Sequence, residues 1–178
     1  MKTVFLSLGS NLGDRILNLD FATKGINTRV GRITKLSSIY ISEPWGFISK
    51  ELFLNQIVVI ETNKTPKKVL EEIITIENEM GRSRTSEFYE SRIIDIDILF
   101  YDDLLIEEPE LIIPHPLLHE RLFILIPLNE LSPDHLHPVL KKSVSEILKG
   151  CNDKSRVEPL KMPKSKIKLK DEIQLHRN

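Results

Sequence analysis

Residues 92–100 read Arg-Ile-Ile-Asp-Ile-Asp-Ile-Leu-Phe, a β-branched run whose two-residue alternation demands a β-strand. Side chains alternate along a strand, so Asp95 and Asp97 share a face, with Cα atoms roughly 6.6 Å apart and carboxylates able to converge. Their neighbours on that face, Ile93 and Leu99, are apolar. A carboxylate among apolar walls costs several kcal/mol unless a cation or hydrogen-bond donors compensate it. The strand is therefore expected to line a cleft in which the two aspartates hold divalent metal. A solvated sheet face is the plainer alternative.

The strand ends an ordered series of elements. Residues 4–8 read as a strand running into the turn Gly9 Ser10 Asn11 Leu12 Gly13 Asp14, then a helix with Ile16, Leu19, Ala22 and Ile26 at helical spacing. Residues 33–41 predict a second strand with imperfect alternation, and residues 53–62 a third. Thr65 as N-cap, Pro66 at the first helical position and Gly81 past the end frame a second helix with Val69, Ile73, Ile76 and Met80 inward. The order β, α, β, β, α, β predicts an α+β, ferredoxin-like sandwich: a mostly antiparallel sheet with helices on its faces. Residues 1–150 form the expected domain, and 151–178 a loosely attached basic extension.

Composition narrows the function classes. With 178 residues, 40% hydrophobic and 29% charged, the chain suits one globular domain, and no apolar run reaches the roughly 18 residues of a membrane span. The single Cys151 permits no internal disulfide, and nothing at the start reads as a signal peptide, so a cytoplasmic setting is expected. From Cys151 onward there are 8 basic and 4 acidic residues of the 25 and 26 in the chain, leaving 17 and 22 before it. An acidic body argues against nucleic acid as a partner, because that affinity rests on neutralising phosphates.

Arg82 and Arg84 follow Gly81, and Arg92 opens the aspartate strand. Guanidinium forks bind phosphate oxygens bidentately and stay charged, so these arginines beside metal-competent carboxylates point to a polyphosphate. Favourable interaction of Arg82 and Arg84 with the preceding helix C-terminus is the alternative. The turn at residues 9–14 has neither the ending of a P-loop nor the spacing of a dinucleotide loop, and reads as a tight connection or as packing beneath a ligand. Trp45 and Phe47 stand in a Pro/Gly loop, where large aromatics either cover a flat guest or plug the core. Asn55 is an amide on the apolar stripe of Phe53, Ile57 and Val59, and must find partners in a structural bond or at the edge of a heterocycle. The segment Pro114 His115 Pro116 Leu117 Leu118 His119, with His135 and His137 beyond, raises zinc as a rival, but flanking prolines and absent cysteines make that signal weak.

With these residues laid out, the chain closely resembles the 6-hydroxymethyl-7,8-dihydropterin pyrophosphokinase family from about Val4 to Pro138. The resemblance is carried, in order, by Leu8 Gly9 Ser10 Asn11 Leu12 Gly13 Asp14, by Phe53 Leu54 Asn55, by Gly81 Arg82 Ser83 Arg84, by residues 92–99, and by Pro114 His115 Pro116 with His119 Glu120 Arg121 Leu122 Phe123. It implies ATP and a dihydropterin as the small-molecule substrates of an enzyme in folate biosynthesis; a monomer is expected. It implies that Asp95 and Asp97 bind two Mg2+ ions, that Arg82, Arg84, Arg92, His115 and Arg121 meet ATP phosphates, and that Glu77 and Ile98 lie at the nucleoside. It places Ser42, Pro44, Trp45, Phe53, Asn55 and Phe123 in the pterin pocket. Relatives commonly carry Trp-Gly-Pro where this chain has Tyr89 Glu90 Ser91.

Overall fold

The structure is a computed structural model that describes residues 1–82 and 91–161. Strand β1 (Lys2–Ser10) leads into α1 (Arg15–Gly25), whose last turn widens into a π-helical turn over Ile26–Val30. Asp14 caps α1 by accepting from Leu17 N. Strands β2 (Arg32–Leu36), β3 (Tyr40–Ser42) and β4 (Phe53–Thr62) precede α2 (Pro66–Glu79), and β5 (Asp95–Tyr101) follows it. The hairpin β6 (Ile106–Glu108) and β7 (Leu111–Ile113), then α3 (Leu122–Leu131), α4 (Val144–Gly150) and β8 (Val157–Pro159), complete the described chain.

The main sheet runs β5-β1-β4-β3-β8, with β2 also on β4, and its pairings are antiparallel. This is the expected α+β, ferredoxin-like arrangement, with β1 and β4 at the centre. Two apolar layers follow from strand alternation. Ile94, Ile96 and Ile98 face α1 and α2, together with Leu19, Ala22, Val69 and Ile73. On the opposite face Phe5, Ile57, Val59 and Leu99 pack under Ile124, Leu125, Leu128, Val144 and Ile147 of α3 and α4. A register shift between Phe5 and Leu6 opposite β5 lets consecutive residues Leu99 and Phe100 both enter this second core.

Three findings depart from the sequence reading. The single strand expected over residues 33–41 is broken at Ser37, which is fully buried: its Oγ accepts from Ile57 N at 2.9 Å and donates to Ser38 O at 2.7 Å. A side chain thus takes a place in the ladder and the backbone turns aside. The β5 strand begins at Asp95, so Arg92 and Ile93 belong to the preceding loop, and Ile93 approaches Gly81 instead of continuing the aspartate face. Finally, the chain just beyond Gly150 is not loosely attached: β8 pairs with β3, and Leu160 N donates to Ile39 O at 2.8 Å. An otherwise open sheet edge has its hydrogen bonds satisfied this way. The alternating lysines at positions 164–170 lie outside the described residues.

Candidate active site

A cleft opens at one end of the sheet, on the face of α3 and α4. Its floor crosses four neighbouring strands: Asp95 and Asp97 on β5, Ser7 and Gly9 on β1, Phe53 and Asn55 on β4, and Ser42 on β3. Register puts Ser7 opposite Asp97, Gly9 opposite both Asp95 and Asn55, and Ser42 opposite Phe53. The small residues on β1 leave the hollow between the carboxylates and the aromatic strand. Arg121 and Phe123, at the start of α3, and Trp45, Glu43 and Phe47, from the loop after β3, form the walls.

Arginines surround the acidic end. Arg82 Nη1 lies 2.6 Å from Asp95 Oδ1, and Arg92 Nη1 lies 2.6 Å from Asp95 Oδ2. Arg82 also pairs with Glu77, whose side chain is wholly inaccessible to solvent and accepts from Ile96 N at 2.8 Å. Burial works against the Arg82 charge, but Asp95 and Glu77 outweigh it and hold its proton more firmly than usual. Arg92 is held through its backbone: Asn11 Oδ1 accepts from Arg92 N at 2.7 Å, while Asn11 N and Leu12 N donate to Arg92 O. The glycine-rich turn at residues 9–14 therefore serves as a clamp on the segment entering β5. Its Asn11 also donates to Ser91 Oγ, which lies 3.4 Å from Ser49 Oγ in the loop after β3.

Among the described residues Asp97, unlike Asp95, has no arginine within ion-pair distance. Burial in the cleft, then the charge of Asp95, push its pKa up to about 7, with Arg121 opposing. A group in that position gains from an added cation. His115 Nε2 stands 3.9 Å from Asp97 Oδ2, because His115 N donates to Leu99 O and lays its segment along β5. Burial, then Arg121, lower the His115 pKa to about 4, so the imidazole is neutral at pH 7. Its Nδ1 accepts from Leu117 N, which leaves Nε2 as the protonated, donating nitrogen facing the cleft.

The other end is aromatic. Phe47 and Phe53 meet edge to face at 6.1 Å. The Arg121 guanidinium lies 4.5 Å from the Trp45 ring centroid and 5.8 Å from that of Phe123, so two aromatics flank a planar cation. Asn55 and Ser42 are both buried, and Asn55 Nδ2 donates to Ser42 Oγ at 2.9 Å. That bond fixes the amide while both residues still face the cleft.

The structure thus gathers Ser42, Trp45, Phe53, Asn55, Arg92, Asp95, Asp97, Arg121 and Phe123 around one cavity, with Arg82 and His115 touching its acidic residues. Pro44 lies in the half-buried loop beside Trp45. Glu77 and Ile98 are not brought to the cleft: the first is sealed behind Arg82, and the second packs in the core under α1 and α2. Arg84 lies outside the described residues, as do Tyr89 and Glu90. Sequence reasoning missed Ser7, Glu43 and the positioning role of Asn11. Only strand pairing puts Ser7 beside Asp97, whereas the buried Asn in a Gly-flanked turn was a signal available in the sequence.

The model of the family described as 7,8-dihydro-6-hydroxymethylpterin-pyrophosphokinase (HPPK) matches residues 5–133. The 2-amino-4-hydroxy-6-hydroxymethyldihydropteridine pyrophosphokinase of Porphyromonas gingivalis is 44% identical over 141 residues, covering 78% of this chain and 95% of that one. The protein of the same name from Aquifex aeolicus is 39% identical over 146 residues, covering 82% and 90%. Among solved structures, wild-type Plasmodium falciparum HPPK-DHPS superposes with a TM-score of 0.66 at 20% identity, over 84% of this chain but 44% of that longer one. That likeness confirms the fold. With the family model spanning the cleft-bearing body and relatives matching along nearly their whole length, the chain belongs to the 7,8-dihydro-6-hydroxymethylpterin-pyrophosphokinase family.

Proposed function

We propose that this chain transfers the pyrophosphoryl group of ATP to 6-hydroxymethyl-7,8-dihydropterin, giving the pterin diphosphate and AMP in folate biosynthesis. The observation that carries this reading is the polarity of the cleft. Two carboxylates and two arginines stand at one end, and aromatic rings with a buried amide at the other. The first end suits a metal-bound triphosphate and the second a flat, hydrogen-bonding heterocycle.

The donor set fits Mg2+. Asp95 and Asp97 offer hard carboxylate oxygens, and among the described residues no group of three or more His, Cys, Asp or Glu could hold a metal. Two protein carboxylates, with phosphate and water oxygens completing the shell, is the usual pattern for Mg2+, whereas zinc takes three or four protein ligands. When bound, Mg2+ supplies charge neutralisation at the phosphate oxygens; we propose two such ions.

The chain's own residues position and neutralise. The hydroxymethyl oxygen attacks the β-phosphorus in line, the new O–P bond forms as the bond to the α-phosphate oxygen breaks, and AMP departs with the electron pair. The hydroxyl proton passes to solvent. Arg82 and Arg92 exchange their contacts with Asp95 for phosphate oxygens, and neutral His115 donates from Nε2. Phe53, Phe123 and Trp45 hold the ring, while Asn55 and Ser42 read its edge. No nucleophilic side chain takes part, so rate enhancement comes from placement and charge.

A monomer acting in the cytoplasm without nucleic acid completes the proposal. No helix of the described residues is long and apolar enough to cross a membrane. The test is direct: with ATP, Mg2+ and the hydroxymethyl dihydropterin, AMP appears in step with pterin diphosphate. Formation of ADP, or no product, overturns the assignment.

A further inference from the structure

The first turn of α3 carries two cleft residues, Arg121 and Phe123, with Leu122 between them. Arg121 occupies the N-cap position but makes no capping bond there. A guanidinium has donors only, and capping needs an acceptor. The acceptor arrives from much later in the chain: Asp153 Oδ2 accepts from Leu122 N at 2.9 Å, and its Oδ1 accepts from Ser155 N at 2.8 Å. Although burial pulls the other way, these amides hold the Asp153 carboxyl below the ordinary aspartate range. Immediately beyond, β8 pairs with β3, setting Val157 opposite Ser42 of the cleft floor. Residues 153–159 therefore tie the start of α3 to β3, two elements that meet at the aromatic end. This strap lies outside residues 5–133, the part matched by the family model.

We propose that Asp153 is a positioning residue for the pterin end of the cleft, fixing the backbone between Arg121 and Phe123 so that the helix needs no cap from its own N-terminal residue. Arg121 is thereby left to turn into the site. The inference rests on the reading of Phe123 as a wall of the pterin pocket.

The experiment uses the full chain and steady-state kinetics with the pterin varied at saturating ATP and Mg2+. Asp153→Ala is expected to raise the pterin KM about fivefold, the factor that loss of a typical cap represents, with kcat changed less than twofold. Asp153→Asn keeps an acceptor oxygen and is expected to restore most of that loss. In a Phe123→Ala background, Asp153→Ala should add no further change in KM. A lowered melting temperature with an unchanged pterin KM overturns the proposal, as does an equal KM effect in both backgrounds. Phe123→Ala alone separates the two readings. If it leaves the pterin KM unchanged, the pocket assignment falls and the proposal with it; if it raises KM while Asp153→Ala does not, only the proposal falls. Should the alanine variant be recovered unfolded, Asp153→Glu carries the measurement: its longer side chain displaces the acceptor from Leu122 N, so the pterin KM should rise at least twofold, and a KM identical to the parent's overturns the claim.

Discussion

Removing the Glu77 carboxylate tests whether this residue holds the site together from behind. Its side chain is completely buried, accepts from Ile96 N at 2.8 Å and pairs with Arg82, which in turn holds Asp95. In Glu77→Ala the Ile96 amide loses a buried acceptor, worth about 1 kcal/mol at the low end of such losses. Arg82 loses a buried counter-charge, where breaking such a pair typically costs about 3 to 5 kcal/mol; Asp95 remains beside it, so about 3 is the better figure. The total is about 4 kcal/mol, a large part of a stability of about 5 to 15. With a urea slope of about 2 kcal/mol/M, the unfolding midpoint should fall by about 2 M at unchanged slope. Glu77→Gln keeps an acceptor for Ile96 N and should lose less than half as much. The assay is urea unfolding at pH 7 followed by circular dichroism, with the ATP KM measured on the glutamine variant. A loss below about 1 kcal/mol in Glu77→Ala would refute the clamp. A large rise in ATP KM in Glu77→Gln at near-parental stability would favour the nucleoside contact that the family resemblance implies.

Three further outcomes are expected. Asp97→Asn should abolish AMP formation yet raise the melting temperature at pH 8: the carboxyl titrates near 7 in the fold and near 4 unfolded, so its contribution to stability declines as pH rises from about 4 to 7. An unchanged or lower melting temperature at pH 8 would contradict the electrostatic account. His137 is lowered to about 4 by burial, then by His119 and His135, and its Nδ1 accepts from Val139 N and Leu140 N. Stability should therefore drop as pH falls from about 6.5 toward 4, and His137→Asn, which retains an acceptor, should flatten that part of the unfolding-versus-pH curve. Asn11→Ala removes the acceptor of Arg92 N and the donor to Ser91 Oγ, and should lower kcat more than tenfold while costing about 2 kcal/mol in denaturant unfolding; kcat within twofold of the parent would remove Asn11 from the positioning machinery.

Legibility tracked the range of the forces involved. The α2 helix was readable because its N-cap Thr65, Pro66 and the left-handed Gly81 are all local, and each stands in its expected role. The α4 helix is equally local in its capping box of Ser143 and Glu146. The α3 helix had no amphipathic stripe to reveal it, since Leu122, Phe123, Ile124, Leu125, Ile126 and Leu128 are apolar nearly all round and Pro127 interrupts them. At Ser37 a side chain competing with the strand ladder split one expected strand into two, an event set by Ile57 twenty residues away. Within the site, the alternation of Asp95 and Asp97 was enough to predict a shared acidic face. Nothing in the spacing of Glu77 separates a ligand contact from a buried counter-charge to Arg82.

By itself the sequence determined which residues alternate, which begin and end helices, and which side chains carry charge, because these follow from backbone geometry within a few residues. Only the tertiary structure decided that Ser7 and Gly9 leave the hollow between the aspartates and Phe53. It alone decided that Asn11 clamps Arg92, and that Asp153 caps a helix begun by Arg121. Those outcomes depend on strand register and on contacts between residues thirty or more positions apart. They are selected by burial of polar groups that must find partners, which no local pattern encodes.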